Sequence, residues 1–280
     1  MSNMIHHKKN NLNLLYFTIC SLLILFGFYK NGILVYKAFS NNVMLLKPLL
    51  FPVTSLVITL GINYIFNKKI ELTDNVIYFL LLSMVIPIKT SVILFLILII
   101  IFNVINQFVI NRLKININYV ALFKILIIVI LLILKKYDYA NNLEMVGKYS
   151  YNLIDIFIGR GISGVSTSSI ILIFIGYILF STNIYYKSDI PLISIGVYLI
   201  GAILLKLIFS KVIIINSLII FSLIFIAPLN KYSPVVKKQR IIYGVLLGIF
   251  TCVFTYFINM YDGVTLAILV SSFINLIDFK

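Results

Sequence analysis

Between Val92 and Phe102 the chain reads Val92-Ile-Leu-Phe-Leu-Ile-Leu-Ile-Ile-Ile-Phe102, with no polar side chain and no alternation. Alternating apolar and polar residues would mark a half-buried strand. An unbroken apolar run marks a helix in hydrocarbon, where every backbone N–H and C=O must be satisfied within its own segment. The run extends over roughly 89–110, and nine more cover roughly 12–29, 43–66, 72–87, 119–134, 162–184, 190–209, 211–228, 240–258 and 263–279. The spacing therefore predicts an all-α polytopic membrane protein of about ten transmembrane helices.

Composition agrees. The chain has 280 residues, 62% apolar and 11% charged, with a mean hydropathy of +1.12. A soluble domain is nearer half apolar and a quarter charged, so this surplus has no single compact core to hide in. A soluble enzyme, a disordered chain and a secreted disulfide scaffold are excluded. Lys and Arg number 23 against 8 Asp and Glu, a net charge of +15. In a chain this apolar the cations belong to short loops that orient helices and meet anionic lipid head groups, not nucleic acid. The basic loop Lys231–Arg240 favours cytoplasmic N- and C-termini. Residues 1–11 form a polar basic tail ahead of a retained first helix.

The longest loop, 135–150, divides the chain into two five-helix halves, 12–134 and 151–280. An odd number of spans per half gives the halves opposite orientations, as an inverted repeat requires. Each half has an irregular segment taken as its broken or re-entrant third element. In the first half Glu71-Leu-Thr-Asp74-Asn leads into a run that stops at Pro87. In the second, Asp155-Ile-Phe-Ile-Gly159 leads through Gly164 to Ser169.

The densest polar stretch is Gly159-Arg-Gly161-Ile-Ser163-Gly164-Val-Ser166-Thr167-Ser168-Ser169. Glycines let the backbone turn at membrane depth, and the helix N-terminus beyond offers unpaired N–H groups to an anionic or carbonyl-rich ligand such as a flavin ring. Equally, the hydroxyls serve to cap a helix and tie down their own loop. The candidate ligand contacts are Gly161, Ser163, Gly164, Thr167, Ser168 and Ser169, with Asp74 and Ser233 as outer candidates. All eight acids are expected at span ends or in loops, so no intramembrane carboxylate relay is expected. Cys20 and Cys252 lie far apart in apolar runs, and His6 and His7 sit in the polar tail. No metal site and no catalytic residue is expected, and the chain does not read as a self-contained enzyme.

At these residues a resemblance enters. Asp155-Ile-Phe-Ile-Gly159, Ser168-Ser169-Ile-Ile-Leu-Ile-Phe-Ile-Gly176 and Asp189-Ile-Pro191 are similar to the NqrB/RnfD family. So are Ser233-Pro234-Val-Val-Lys237-Lys238-Gln-Arg240 and Asp262-Gly263-Val-Thr-Leu-Ala267, in the family's order and spacing. Over 1–149 the best match is Leu72-Thr-Asp74.

The resemblance implies a flavin-carrying membrane subunit of a sodium-pumping NADH:quinone oxidoreductase or an Rnf complex. Partner subunits would supply NADH oxidation and iron–sulfur centres, with quinone a candidate acceptor, in a bacterial inner (plasma) membrane. In that family FMN is attached to a threonine in the loop between the fifth and sixth spans. Here Lys135–Gly161 contains no threonine, so the expectation is a noncovalent flavin, riboflavin or FMN, rather than covalent FMN. The family's glutamate before the Thr-Ser pair is Thr167, and its aspartate before Ser-Pro is Leu229. Two other readings share the same broken helices: a carrier or channel for a small solute, and a structural subunit without cofactor.

Overall fold

The computed structural model describes residues 2–34, 37, 42–68, 71–110, 117–135, 137, 157–159, 163–209, 216–258 and 261–273. Among these residues all the regular secondary structure is helical. α1 is Ser2–Gly27, continued by a π-helical turn over Phe28–Leu34. α2 is Asn42–Asn67, α3 Asp74–Met84 and α4 Val92–Ile105, the last with a π turn over Asn106–Ile110. α5 is Tyr119–Ile133, α6 Ile170–Ser181 and α7 Asp189–Phe209. α8 is Ser217–Phe221 with a π turn over Ser222–Ile226, α9 Lys237–Phe257 and α10 Gly263–Ser272. The ten helices fall on the ten apolar runs, and the chain is a polytopic membrane protein.

Small polar residues start several helices. The side chains of Ser91, Asn118, Ser169 and Asn216 each accept a backbone N–H from the first turn that follows, at 3.0–3.3 Å. Each satisfies one of the donors that a helix start leaves open, which matters most where water is scarce.

Segments of α1, α2, α7 and α9 are long and apolar enough to cross a membrane: Asn11–Leu34, Leu45–Phe66, Asp189–Ile208 and Lys237–Phe257. α3 differs in kind. Its 11 residues rise only about 16 Å, against a hydrocarbon core of about 30 Å. It ends where Pro87, which lacks an N–H, follows three residues on. α8 stops likewise ahead of Pro228. Both are buried, α3 from Val76 to Met84 and α8 over its whole length.

The packing repeats between the halves. α1 packs on α3 as α6 packs on α8, α2 on α4 as α7 on α9, and α3 on α5 as α8 on α10. Across the halves, equivalent helices meet: α1 with α6 and α5 with α10. The same pairings thus recur in the two five-helix halves. The third element of the second half is therefore α8, not the Asp155–Ser169 stretch expected from sequence. The described part of that stretch, 157–159 and 163–169, comes before α6 and ends as its cap at Ser169. The connecting loop is described only at Lys135 and Tyr137; 138–150 lie outside the described residues.

Candidate functional site

Breaking a helix in hydrocarbon strands the carbonyls of its last turn, so the sites of interest are where α3 and α8 end. Behind α3 the chain runs Val85-Ile86-Pro87-Ile88. The loop before α6 lies against it: the Ser166 N–H donates to the Met84 carbonyl at 3.2 Å and the Val165 N–H to that of Ile86 at 3.1 Å. The Lys47 ammonium, from α2, donates to the Ile88 carbonyl at 3.1 Å. The sequence lets these backbones meet at glycine. A Cβ at Gly164 would stand 2.7 Å from the Met84 carbonyl oxygen, and one at Gly27 2.8 Å from the Ser166 Cα.

The loop itself is tied inward. Asn31 Nδ2 donates to the carbonyls of Val165 (2.9 Å) and Gly164 (3.3 Å). Ser166 Oγ donates to the Pro48 carbonyl (3.2 Å), Ser163 Oγ to the Gly164 carbonyl, and Thr167 Oγ1 accepts the Gly164 N–H, both at 3.0 Å. Ser169 caps α6. Ser168, 1% exposed, alone among these hydroxyls has no partner. Gly161 lies outside the described residues.

The second break is closed by different chemistry. Asn118 Nδ2 donates to the Ile226 carbonyl at 3.0 Å and the Tyr186 hydroxyl to that of Ile224 at 2.8 Å. The buried Lys187 ammonium, just ahead of α7, reaches the carbonyls of Asn230 (3.2 Å) and Ser233 (2.7 Å) and the Ser233 hydroxyl (2.7 Å). Ser233 Oγ also lies 2.9 Å from the Leu229 carbonyl. Burial, with Arg240 nearby, pulls the Lys187 pKa down to about 8 despite the opposing carboxylate of Asp189. Arg240 and Asp189 form an ion pair at 3.0 Å that ties α9 to the start of α7.

The structure does not bring the sequence-predicted residues into one site. Ser163, Gly164, Thr167, Ser168 and Ser169 gather at the end of α3. Asp74 stands at its start, about 16 Å away along the helix. There Asp74 Oδ1 accepts from Asn13 Nδ2 at 3.0 Å and lines a cavity of about 20 Å³ with Tyr16, Tyr78, Tyr186, Pro228 and Asn230. The start of α3 thus meets the end of α8. Ser233 belongs to that second break.

A flavin at the first break would need both room and free polar groups. An isoalloxazine site needs roughly 300 Å³ or more. The cavity beside Asp74 has room for about one water, and one of about 10 Å³ lies among Tyr78, Phe79, Asn106 and Tyr119. Around Ser163–Ser169 the hydroxyls, Ser168 Oγ apart, bond to the chain itself, and Gly164 abuts α3 backbone. The described residues of this loop do not fit the ring.

One cluster escaped the reading from sequence. Lys124 on α5, 1% exposed, lies 2.9 Å from Asp262 Oδ1 ahead of α10, itself 4% exposed. The ammonium also donates to Thr265 Oγ1 at 2.9 Å, and the Tyr137 hydroxyl donates to Asp262 Oδ2. Asp262 does sit at a helix end, as expected of the acids, but it is buried. The signal available was Lys124, a lone cation within an apolar run, which calls for a buried partner.

No curated protein matches the chain. The model of the NQR2, RnfD, RnfE family matches residues 4–279, nearly the whole chain. The chain therefore belongs to the NQR2, RnfD, RnfE family, as a membrane subunit of an Rnf/NQR-type complex.

Proposed function

We propose that the chain is the closed, helix-lined scaffold of an ion-coupled electron-transport complex, with NADH-oxidising and iron–sulfur groups carried by partner subunits. The observation that carries this reading is the sealing of both broken helices. Loop N–H groups and Lys47 close the end of α3; Asn118, Tyr186 and Lys187 close the end of α8. A solute carrier or a flavin relay needs polar groups free to meet a ligand at these breaks, and here the groups named above hold the chain to itself, with Ser168 Oγ the exception among the hydroxyls of the loop before α6. The basic loop Lys231–Arg240 supports placing both termini on the cytoplasmic side of a bacterial inner membrane.

The test is a flavin and partner assay on the full chain in mild detergent. Expected are recovery with other subunits at a fixed ratio when they are co-expressed, and no flavin released by denaturing the folded chain purified alone. Flavin at near one per chain would overturn the scaffold in favour of a relay. Solute uptake by the isolated chain in liposomes would overturn it in favour of a carrier.

A further inference from the structure

α5 and α10, the last helices of the two halves, pack on each other. At that junction sit a full positive and a full negative charge, Lys124 and Asp262, removed from water. Desolvation costs several kcal/mol per ion, and replacing a buried pair by apolar residues is often neutral or stabilising. Packing alone does not call for charge here.

The oxygens around the ammonium are those that suit a small hard cation: a carboxylate oxygen and the Thr265 hydroxyl, each 2.9 Å from Nζ. The Tyr137 hydroxyl steadies the other carboxylate oxygen. Oxygen donors of this type hold hard metal ions. We propose that Lys124 is a resident cation, filling an oxygen site to which Asp262 and Thr265 contribute, with Asp262 steadied by Tyr137, and so closing it to Na⁺ or K⁺. The tether makes the ammonium's local concentration far higher than that of any dissolved ion. The inference is independent of the scaffold reading, since it concerns cation binding by this chain alone.

The test compares thermal melts of the full chain in sodium, potassium and choline chloride at equal ionic strength. The native chain is expected to melt at the same temperature in all three. Lys124→Met leaves a buried carboxylate that a mobile cation can neutralise. It should melt lower in choline and recover with rising Na⁺ or K⁺, saturably, because a ligand that binds the folded state stabilises it by mass action. Lys124→Met with Asp262→Asn removes both charges and should lose the cation response.

Saturable stabilisation of the native chain by Na⁺ or K⁺, abolished by Asp262→Asn, would overturn the proposal. So would a Lys124→Met chain indifferent to all three salts. If Lys124→Met does not fold in choline, its folded yield when solubilised in Na⁺ or K⁺ gives the same comparison: rescue supports the proposal, and equal loss in all three salts refutes it.

Discussion

Lys47 and Lys187 do the same work in opposite halves: each ammonium holds backbone carbonyls just beyond a broken third helix. Lys47 reaches the Ile88 carbonyl from α2. Lys187 reaches those of Asn230 and Ser233 from the turn before α7. A helix interrupted in hydrocarbon leaves acceptors without water, and an ammonium with three N–H donors is well suited to collect them.

Replacing either lysine by methionine should therefore destabilise the fold, by about 1–3 kcal/mol for each buried acceptor left without a donor. Lys187→Met should cost more than Lys47→Met, because three acceptors are lost instead of one. Denaturation of the detergent-solubilised chain, followed by the tyrosine signal, measures the order.

Lys187 also sets a pH dependence. In the folded chain its pKa is about 8, while in the unfolded chain it keeps its proton to about 10.5. Between those values the unfolded chain binds more protons, so stability rises as pH climbs through that window and is lower below it. Lys187→Arg, which does not titrate there, should flatten the rise. Denaturation midpoints at about pH 7.5 and about pH 10 decide it.

Gly164 and Gly61 should respond oppositely to alanine. At Gly164 a methyl would meet the Met84 carbonyl oxygen at 2.7 Å, and at Gly61 it would meet nothing within 4 Å. Gly164→Ala should cost about 1–3 kcal/mol through displaced backbone. Gly61→Ala, on a helix with open space beside it, should be neutral or gain up to about 1 kcal/mol. Melting temperatures of the two variants, side by side, test the contrast.

Asn118 uses both ends of its amide: Oδ1 caps α5 by accepting the Ala121 N–H, and Nδ2 donates to the Ile226 carbonyl on α8. Asn118→Ala should cost about 1–3 kcal/mol, combining a lost cap with a stranded carbonyl. Asn118→Asp keeps the cap acceptor but turns a carboxylate oxygen toward that carbonyl. It should be no better than alanine in the same denaturation series, and a full rescue would show that the cap alone matters.

How much was legible depended on whether the signal was local. The run from Val92 to Phe102 can be nothing but a helix in hydrocarbon, and Ser91 and Ser169 are caps readable from their place before such runs. Pro87 shows in the sequence where α3 ends. The function of Ser163–Ser169 was not readable, because hydroxyls that cradle a ligand and hydroxyls that tie a loop to itself are the same residues. What the fold adds, and the sequence cannot show, is that the Val165 and Ser166 N–H groups face the Ile86 and Met84 carbonyls. Lys124 and Asp262 are joined by tertiary packing alone, so the lone cation in an apolar run signals a buried partner but not which one.

The π turn in α8 has a consequence for how the sequence can drift. Its wide bond, from the Ala227 N–H to the Ser222 carbonyl at 3.0 Å, accommodates one residue more than an α-helical turn. Deleting a single residue between Ser222 and Ile226 would restore ordinary winding and leave the chain on either side nearly in register, because the extra residue is what the wide turn absorbs. The same deletion in the α-helical stretch Ser217–Phe221 would instead turn everything downstream by about 100°, swinging Asn230 and Ser233 away from Lys187. A one-residue change of length is thus absorbed at the π turn and nowhere else along α8, and alignments of its relatives should place their single-residue gaps at 222–226.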